Sequence, residues 1–266
     1  MKTRFAPSPT GYLHKGHIWS ALCVSAVAKA RGASVHLRIE DHDRKRCTQH
    51  FTDTIKKDLE WLGFEWESES VQSERNDIYE AYLKILQDRG LLYKVISETL
   101  SHKTKSLSET TANLLTDNPK IIFASENINF PVKDIFNQWT YQFAVVVDDF
   151  EENIDLIVRG EDLKDSIEKQ ITLAKILGRS EMPEFIHHSL IFDKNGKKLS
   201  KRDGSTGICT LRENGISPKK VLGELLGTNT EISWAEGINF ISSLSSIPRE
   251  TTSITLPLHP NQVLMP

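Results

Sequence analysis

What most constrains this chain is the exchange of short β-type runs for helical runs, most of them stopped by a glycine. Ala21 to Arg31 is rich in alanine and closes on Gly32, the C-terminal stop of a helix. Ser34 to Glu40 alternates and reads as a strand ending in the acidic residues Glu40, Asp41 and Asp43. Thr52 to Leu62 places Ile55, Leu59 and Leu62 on one helical face ahead of Gly63. Asn76 to Arg89 repeats the device, with Tyr79, Tyr82, Leu83 and Leu86 apolar and Gly90 at the end. Leu91 to Ile96 reads as a short strand, Thr140 to Val147 as a buried strand terminated by Asp148 and Asp149, and Leu156 to Arg159 as another. Asp162 to Leu177 reads as a helix with Gly178 behind it. Ser217-Pro218 supplies an N-cap and first-turn proline for a helix running to Leu226 and stopped by Gly227. Strands alternating with helices predict an α/β fold built on a doubly wound, mostly parallel sheet. Ligands of such sheets gather beyond the carboxyl ends of the strands.

Two segments carry chemistry. From Arg4 through Ala6, Pro7, Ser8, Pro9, Gly11 and His14 to His17, the chain reads as a strand, a proline- and glycine-set turn, and a helix starting near Ile18. Pro7 and Pro9 forbid a regular helix or central strand there, and Gly11 and Gly16 permit close approach of a ligand or a positive φ. His14 and His17 at a helix opening, where free N–H groups point outward, suit a polyphosphate. Far downstream, Gly196-Lys197-Lys198-Leu199-Ser200-Lys201-Arg202-Asp203-Gly204 is a basic loop bounded by glycines, suited to gripping phosphate. Taken singly, the first is more often a surface turn and the second a solvated charged loop.

Composition narrows the classes. A chain of 266 residues with 38% hydrophobic content can bury a full α/β core and one small appendage. No run reaches the ~18 apolar residues of a membrane helix. The polar N-terminus has no signal-peptide core, so the expectation is a cytoplasmic protein with no membrane partner. Cys23, Cys47 and Cys209 are too far apart for a disulfide framework or a metal-ligand spacing, which predicts free thiols and no metal site. The formal charge of −3 argues against a broadly basic nucleic-acid binder and leaves room for a local basic patch.

The two motifs, in this order around a parallel-sheet pattern, resemble the ATP motifs of class I aminoacyl-tRNA synthetases, over residues 2 to about 227 and closest to the glutamyl branch. The short length points to the glutamyl-queuosine tRNA(Asp) synthetases, which lack an anticodon-binding domain. The resemblance implies a Rossmann-like catalytic core in two halves, 1–96 and 140–205, split by a short connective insertion, 97–139. That insertion is rich in Ser, Thr and Asn and predicted to have little core of its own. Residues 206–266 would form a small helical, stem-contact-like segment and tail.

By the same resemblance, His14, His17 and Lys201 are the catalytic residues, with Lys201 neutralising developing phosphate charge from a mobile loop. ATP contacts fall to Gly11, Gly16, Glu161, Leu190, Ile191, Lys198, Ser200 and Lys201, and Mg2+ accompanies the phosphates. A glutamate pocket needs one acid for the ammonium and several donors for two carboxylates. The resemblance draws them from the Arg4–Ser8 start (including Ala6), Arg38-Ile39-Glu40-Asp41, Tyr141, and Arg159-Gly160-Glu161-Asp162. Glu40 and Ser8 would hold the ammonium, and Arg4, Tyr141 and Arg159 the carboxylate oxygens. Glutaminyl enzymes lack the Ala-Pro-Ser start and the arginine at the place of Arg159, which favours glutamate.

Three departures stand out. Lys15 occupies a position usually apolar, and Gln142 stands where Asn commonly follows the pocket tyrosine. After Tyr93 comes Lys94-Val95-Ile96-Ser97-Glu98 without the family's Cys-x-Cys zinc pair, so no zinc is expected and the acceptor-binding surface is reduced. The expected protein is a monomer that activates L-glutamate with ATP and transfers it to a tRNA, with the queuosine of tRNA(Asp) favoured. The rivals are transfer to a small amine or carrier protein, and a non-catalytic paralogue that binds glutamate or ATP.

Overall fold

The computed structural model describes residues 1–95, 120–125, 128–191, 207–244 and 253–256. The chain runs β1 (Lys2–Phe5), α1 (Lys15–Arg31), β2 (Ser34–Ile39), α2 (Gln49–Leu62), β3 (Ser68–Val71), α3 (Asn76–Asp88) and β4 (Leu92–Val95). It continues through β5 (Lys120–Ser125), β6 (Ile128–Lys133), α4 (Tyr141–Glu151), β7 (Leu156–Gly160), α5 (Ile167–Leu177) and β8 (Glu184–His188). The last elements are α6 (Ile208–Glu213), α7 (Pro218–Leu225), α8 (Trp234–Leu244) and β9 (Ser253–Leu256).

Six strands form a parallel sheet in the order β3-β2-β1-β7-β8-β9. From β1 the chain winds outward through β2 and β3, then returns to the other side of β1 as β7. The switch point therefore lies between β1 and β7. Alternation along the strands loads both faces: Leu156, Val158 and Ile186 pack into the cluster built around α1, while Ile157 and Phe185 turn the other way against Ile167 and Ile171 of α5. Helices on both faces of a parallel sheet are the doubly wound arrangement predicted from the sequence. α1 is buried almost throughout from Ile18 to Ala28 because it lies between the sheet and α8.

Four expectations are corrected. Thr140 to Val147 is not a strand: Tyr141–Glu151 is helix α4, with Asp148 and Asp149 inside it and buried. A short apolar run rich in Val fits a buried strand or a buried helix equally well by periodicity. Here Phe143 and Val147, one helical turn apart, meet Tyr79, Leu83 and Leu173 in a second core. Nor is the insertion without a core: β5 and β6 form a three-stranded antiparallel sheet with β4, burying Phe123, Phe130 and Val132 in that same core. The strand at Leu92–Val95, expected within the first catalytic half, belongs to this small sheet. Asp162 does not open an α-helix; Glu161–Ser166 is a 3-10 turn and α5 starts at Ile167.

The C-terminal region contributes structure: α8 packs along α1, and β9 adds a parallel strand beyond β8. Phe143→Ala should lower unfolding free energy by about 3–5 kcal/mol, since a fully buried ring stacked on Trp139 is lost. Urea denaturation measures it, and a loss below about 1 kcal/mol would place Phe143 outside the core.

Candidate active site

At the carboxyl ends of β1, β2, β7 and β8 lies a cavity of about 420 Å3. β1 and the turn after it supply Arg4 to Ser8; Glu40 follows β2; Arg159 and Gly160 end β7; His188 ends β8, with Leu190 and Ile191 just beyond. Tyr141 reaches in from the first turn of α4, and His14, Gly16, His17, Trp19 and Ser20 line the side formed by α1. Gly160 allows the close turn there: a Cβ would lie 2.5 Å from Asp162 Oδ1 and 3.1 Å from Leu190.

The two histidines do more than flank the helix. α1 begins at Lys15, earlier than the expected start near Ile18, because His14 is its N-cap. The Gly16 backbone N–H donates to His14 Nδ1 at 3.1 Å, and the His14 N–H donates to His17 Nδ1 at 3.0 Å. Imidazole thus takes the place of the usual Ser or Asp cap. A backbone N–H can only donate, so each neutral ring carries its proton on Nε2 as a donor. The rings sit 3.7 Å apart at a helix N-terminus, an arrangement that suits phosphate oxygens. Lys15 is directed away, pairing with Glu224 of α7 at 3.2 Å.

Beneath the cavity, three arginines and three carboxylates form one buried network. Arg4 Nε donates to Asp149 at 3.0 Å, and Arg38 donates to Asp149 at 2.6 Å and through Nε to Glu152 at 2.9 Å. Arg75 donates to Asp148 at 2.7 Å, which also accepts from the Tyr79 hydroxyl and Gln72. Burial would raise Asp149, but Arg4 and Arg38 hold it below the ordinary aspartate value. Burial would lower Arg38, yet Asp149, Glu152, Asp148 and Glu40 hold it well above the usual arginine value.

Glu40 is a fourth carboxylate for three arginines. It is only 6% exposed, and Arg38, 3.7 Å away, is already shared. Burial therefore raises Glu40 to about 7, with Arg38 and Arg4 opposing. Arg159 is the converse case: 5% exposed and lowered by burial, it shows no ion pair among the described residues. Its guanidinium donates to His187 Nε2, Gln170 Oε1 and the Leu163 carbonyl, with Tyr141 in hydrogen-bonding reach. Burial raises Tyr141 as well, so it is a neutral phenol. One cavity thus holds an under-compensated acid and an under-compensated base.

Of the residues predicted from the sequence, Arg4, Ala6, Ser8, His14, Gly16, His17, Glu40, Tyr141, Arg159, Leu190 and Ile191 meet at this cavity. Gly11 sits in the preceding turn and Glu161 opens the 3-10 turn after β7; neither lines it. The Ser8 hydroxyl donates to the Glu40 carbonyl at 2.8 Å, tying the β1 turn to the end of β2. Lys198, Ser200 and Lys201 lie outside the described residues. Sequence reasoning missed Asp149, His187, His188 and Gln170. Asp149 follows a valine-rich run that suits a strand as well as a helix, and the other three carry no motif signal. Among the described residues no group of three or more His, Cys, Asp or Glu is placed to hold a metal ion, and no helix is long and apolar enough to cross a membrane.

The switch-point cavity thus has an imidazole-capped helix on one side and a buried carboxyl and guanidinium without matching partners on the other. The family described as "tRNA synthetases class I (E and Q), catalytic domain" matches residues 1–119 and 120–250, and the chain belongs to it. It is 34% identical over 268 residues to a glutamate–tRNA ligase of Akkermansia muciniphila, covering 97% of this chain and 58% of that one. To a glutamate–tRNA ligase of Dichelobacter nodosus it is 33% identical over 282 residues, covering 92% and 60%. The chain thus spans under two thirds of the length of these relatives. Among solved structures it resembles a glutamate tRNA ligase from Elizabethkingia meningosepticum in complex with its amino acid, with TM-score 0.70 and 27% identity over 90% of this chain and 64% of that one. A putative arginyl-tRNA synthetase from Campylobacter jejuni shares the fold alone, at TM-score 0.51 and 13% identity over 87% and 64%.

Proposed function

We propose that this chain activates L-glutamate with ATP as glutamyl-adenylate and transfers it to a tRNA. The observation that carries the reading is the pair of unmatched charges, Glu40 and Arg159, in the cavity that also holds the His14–His17 cap. A ligand that fits must bring an ammonium to Glu40 and a carboxylate to Arg159. Glutamate brings one ammonium and two carboxylates, and Tyr141 and Arg4 stand beside Arg159 to receive the remaining oxygens. Arg4, already matched by Asp149, contributes direction more than net charge.

In this reading the glutamate α-carboxylate attacks the α-phosphorus of ATP in line, and pyrophosphate leaves. Such a transfer asks of the protein positioning and stabilisation of spreading negative charge. The Nε2–H groups of His14 and His17 serve the phosphates, Gly16 leaves room for the nucleoside, and Leu190 and Ile191 offer backbone to the adenine. Lys201, with Lys198 and Ser200, is proposed on the sequence motif to grip the phosphates. Mg2+ arrives with ATP, and no zinc is invoked. The relatives carry the name glutamate–tRNA ligase, which supports tRNA as acceptor. The finer proposal, that the acceptor is queuosine in the anticodon of tRNA(Asp), rests on the resemblance drawn from the sequence.

The test is amino-acid-dependent ATP–pyrophosphate exchange, with and without tRNA, followed by transfer of labelled glutamate to tRNA(Glu) and to tRNA(Asp) with and without queuosine. Exchange with glutamate is expected, with label on queuosine-bearing tRNA(Asp). Label on tRNA(Glu) alone would replace the finer acceptor, and absence of exchange under every RNA condition in folded protein would leave a binding paralogue.

Arg159→Ala should reduce glutamate kcat/KM by on the order of 10²–10³-fold while sparing ATP affinity, because a substrate carboxylate loses its buried partner. Arg159→Lys should rescue only in part, lacking the guanidinium fork. Wild-type glutamate kinetics in either folded variant would remove Arg159 from the site.

Glutamate affinity should also depend on pH. The bound ammonium needs ionised Glu40, whose value in the free protein is raised to about 7. Below that value a proton must first leave, so affinity should fall about tenfold per pH unit, levelling off above it. Calorimetry from pH 5.5 to 8.5 measures it; flat affinity below pH 7 would mean that Glu40 does not hold the ammonium.

A further inference from the structure

Among the described residues, every group in hydrogen-bonding contact with the Arg159 guanidinium is neutral. The Leu163 carbonyl accepts at 3.1 Å and His187 Nε2 at 3.3 Å, and burial with the Arg159 charge pushes His187 down to about 4, so it is uncharged near neutrality. Asp149, an acid whose field reaches Arg159, is shared between Arg4 and Arg38. The shortest of these bonds is to Gln170 Oε1, at 2.7 Å, from a side chain of α5 that is 4% exposed.

The orientation of Gln170 follows from its partners. A guanidinium only donates, so Oε1 faces Arg159, and Nε2 donates to Gln142 Oε1 at 3.0 Å. Gln142 Nε2 in turn donates to the Ser166 hydroxyl at 2.8 Å. A one-way chain from Ser166 through α4 and α5 therefore holds Arg159 without adding charge. A carboxylate of the same shape at Gln170 would make a buried ion pair with Arg159 and cancel the charge that a substrate carboxylate needs.

We propose that Gln170 is a specificity-determining residue: its amide fixes the Arg159 guanidinium yet leaves the charge unmatched, so that the pocket takes a side-chain carboxylate and rejects the amide of glutamine. The inference rests on the reading that Arg159 holds a substrate carboxylate. It explains the departure at Gln142, whose longer side chain reaches Gln170 and Ser166 together. It also gives Arg159 a fixed direction before substrate arrives, which lowers the ordering needed on binding.

The test is Gln170→Glu and Gln170→Met, read as pyrophosphate exchange with glutamate and with glutamine, in the presence of tRNA and with thermal melts as the folding control. A flip of the Gln142 amide and rotation of the Ser166 hydroxyl would restore the hydrogen bonds of Gln170→Glu. For that variant glutamate kcat/KM should fall on the order of 10²–10³-fold with glutamine unchanged or improved, so the preference falls by at least that factor. Gln170→Met, which frees the guanidinium but leaves its charge, should slow glutamate roughly tenfold and keep the preference. A folded Gln170→Glu protein with the wild-type preference would overturn the proposal. So would a Gln170→Met protein that loses the preference, and this variant decides alone if Gln170→Glu does not fold. Failure of wild-type protein to respond to glutamate would instead sink the proposed function itself.

Discussion

The structure turns on the buried contact of Arg4 and Arg38 with Asp149. It joins neighbouring strands of the parallel sheet to α4, which stands on the other core. Buried ion pairs are weak sources of net stability, because desolvation of both partners offsets most of their attraction. Their geometric demand is strong, since a displaced partner leaves a buried charge unmatched. Asp148 and Glu152 extend the contact to Arg75, Tyr79, Ser70 and His36, so α3, β3 and β2 all answer to one face of α4. The network works as a register device between the parallel sheet and the small antiparallel sheet packed behind α4.

The site inherits its electrostatics from that device. Three arginines are matched to three carboxylates inside the network, and Glu40 and Arg159 are left over at its edge in the cavity. An acid pushed up to about 7 and a guanidinium held by neutral acceptors are poor arrangements for an empty protein. The proposed substrate, a zwitterion with an extra carboxylate, would supply both missing charges. The same cavity is lined by His14 and His17, whose Nδ1 atoms accept from backbone amides at the start of α1. Amino acid and nucleotide would thus meet at the switch point, where parallel sheets open to ligands.

Much of this was legible in local sequence. Gly32, Gly63 and Gly178 stop helices in left-handed conformations, as their positions after apolar-periodic runs implied. Ser217 caps α7 as expected. Arg4, Glu40, Tyr141 and Arg159, spread across most of the chain, came together because each lies at a strand or helix end facing one side of the sheet. The reading failed at Thr140 to Val147, where β-branched residues and a continuous apolar run hid a helix. It failed also at the insertion, whose polar composition concealed Phe123, Phe130 and Val132 as part of a shared core. Both segments bury apolar residues in a core shared with α3 and α5, so no local pattern could reveal all that covers them.

By itself, the sequence determined the alternation of strand and helix, the parallel sheet that follows from it, and the identities of most charged groups in the cavity. These depend on residue spacing and on backbone preferences that act within a turn or two. Only the tertiary structure decided which charges are matched and which are left over. Arg4 and Arg159 are both arginines at the ends of adjacent strands, yet one meets Asp149 and the other a neutral amide. Desolvation and charge pairing are set by what arrives from distant parts of the chain, so the ligand chemistry of the site became readable only once α4 and α5 were in place.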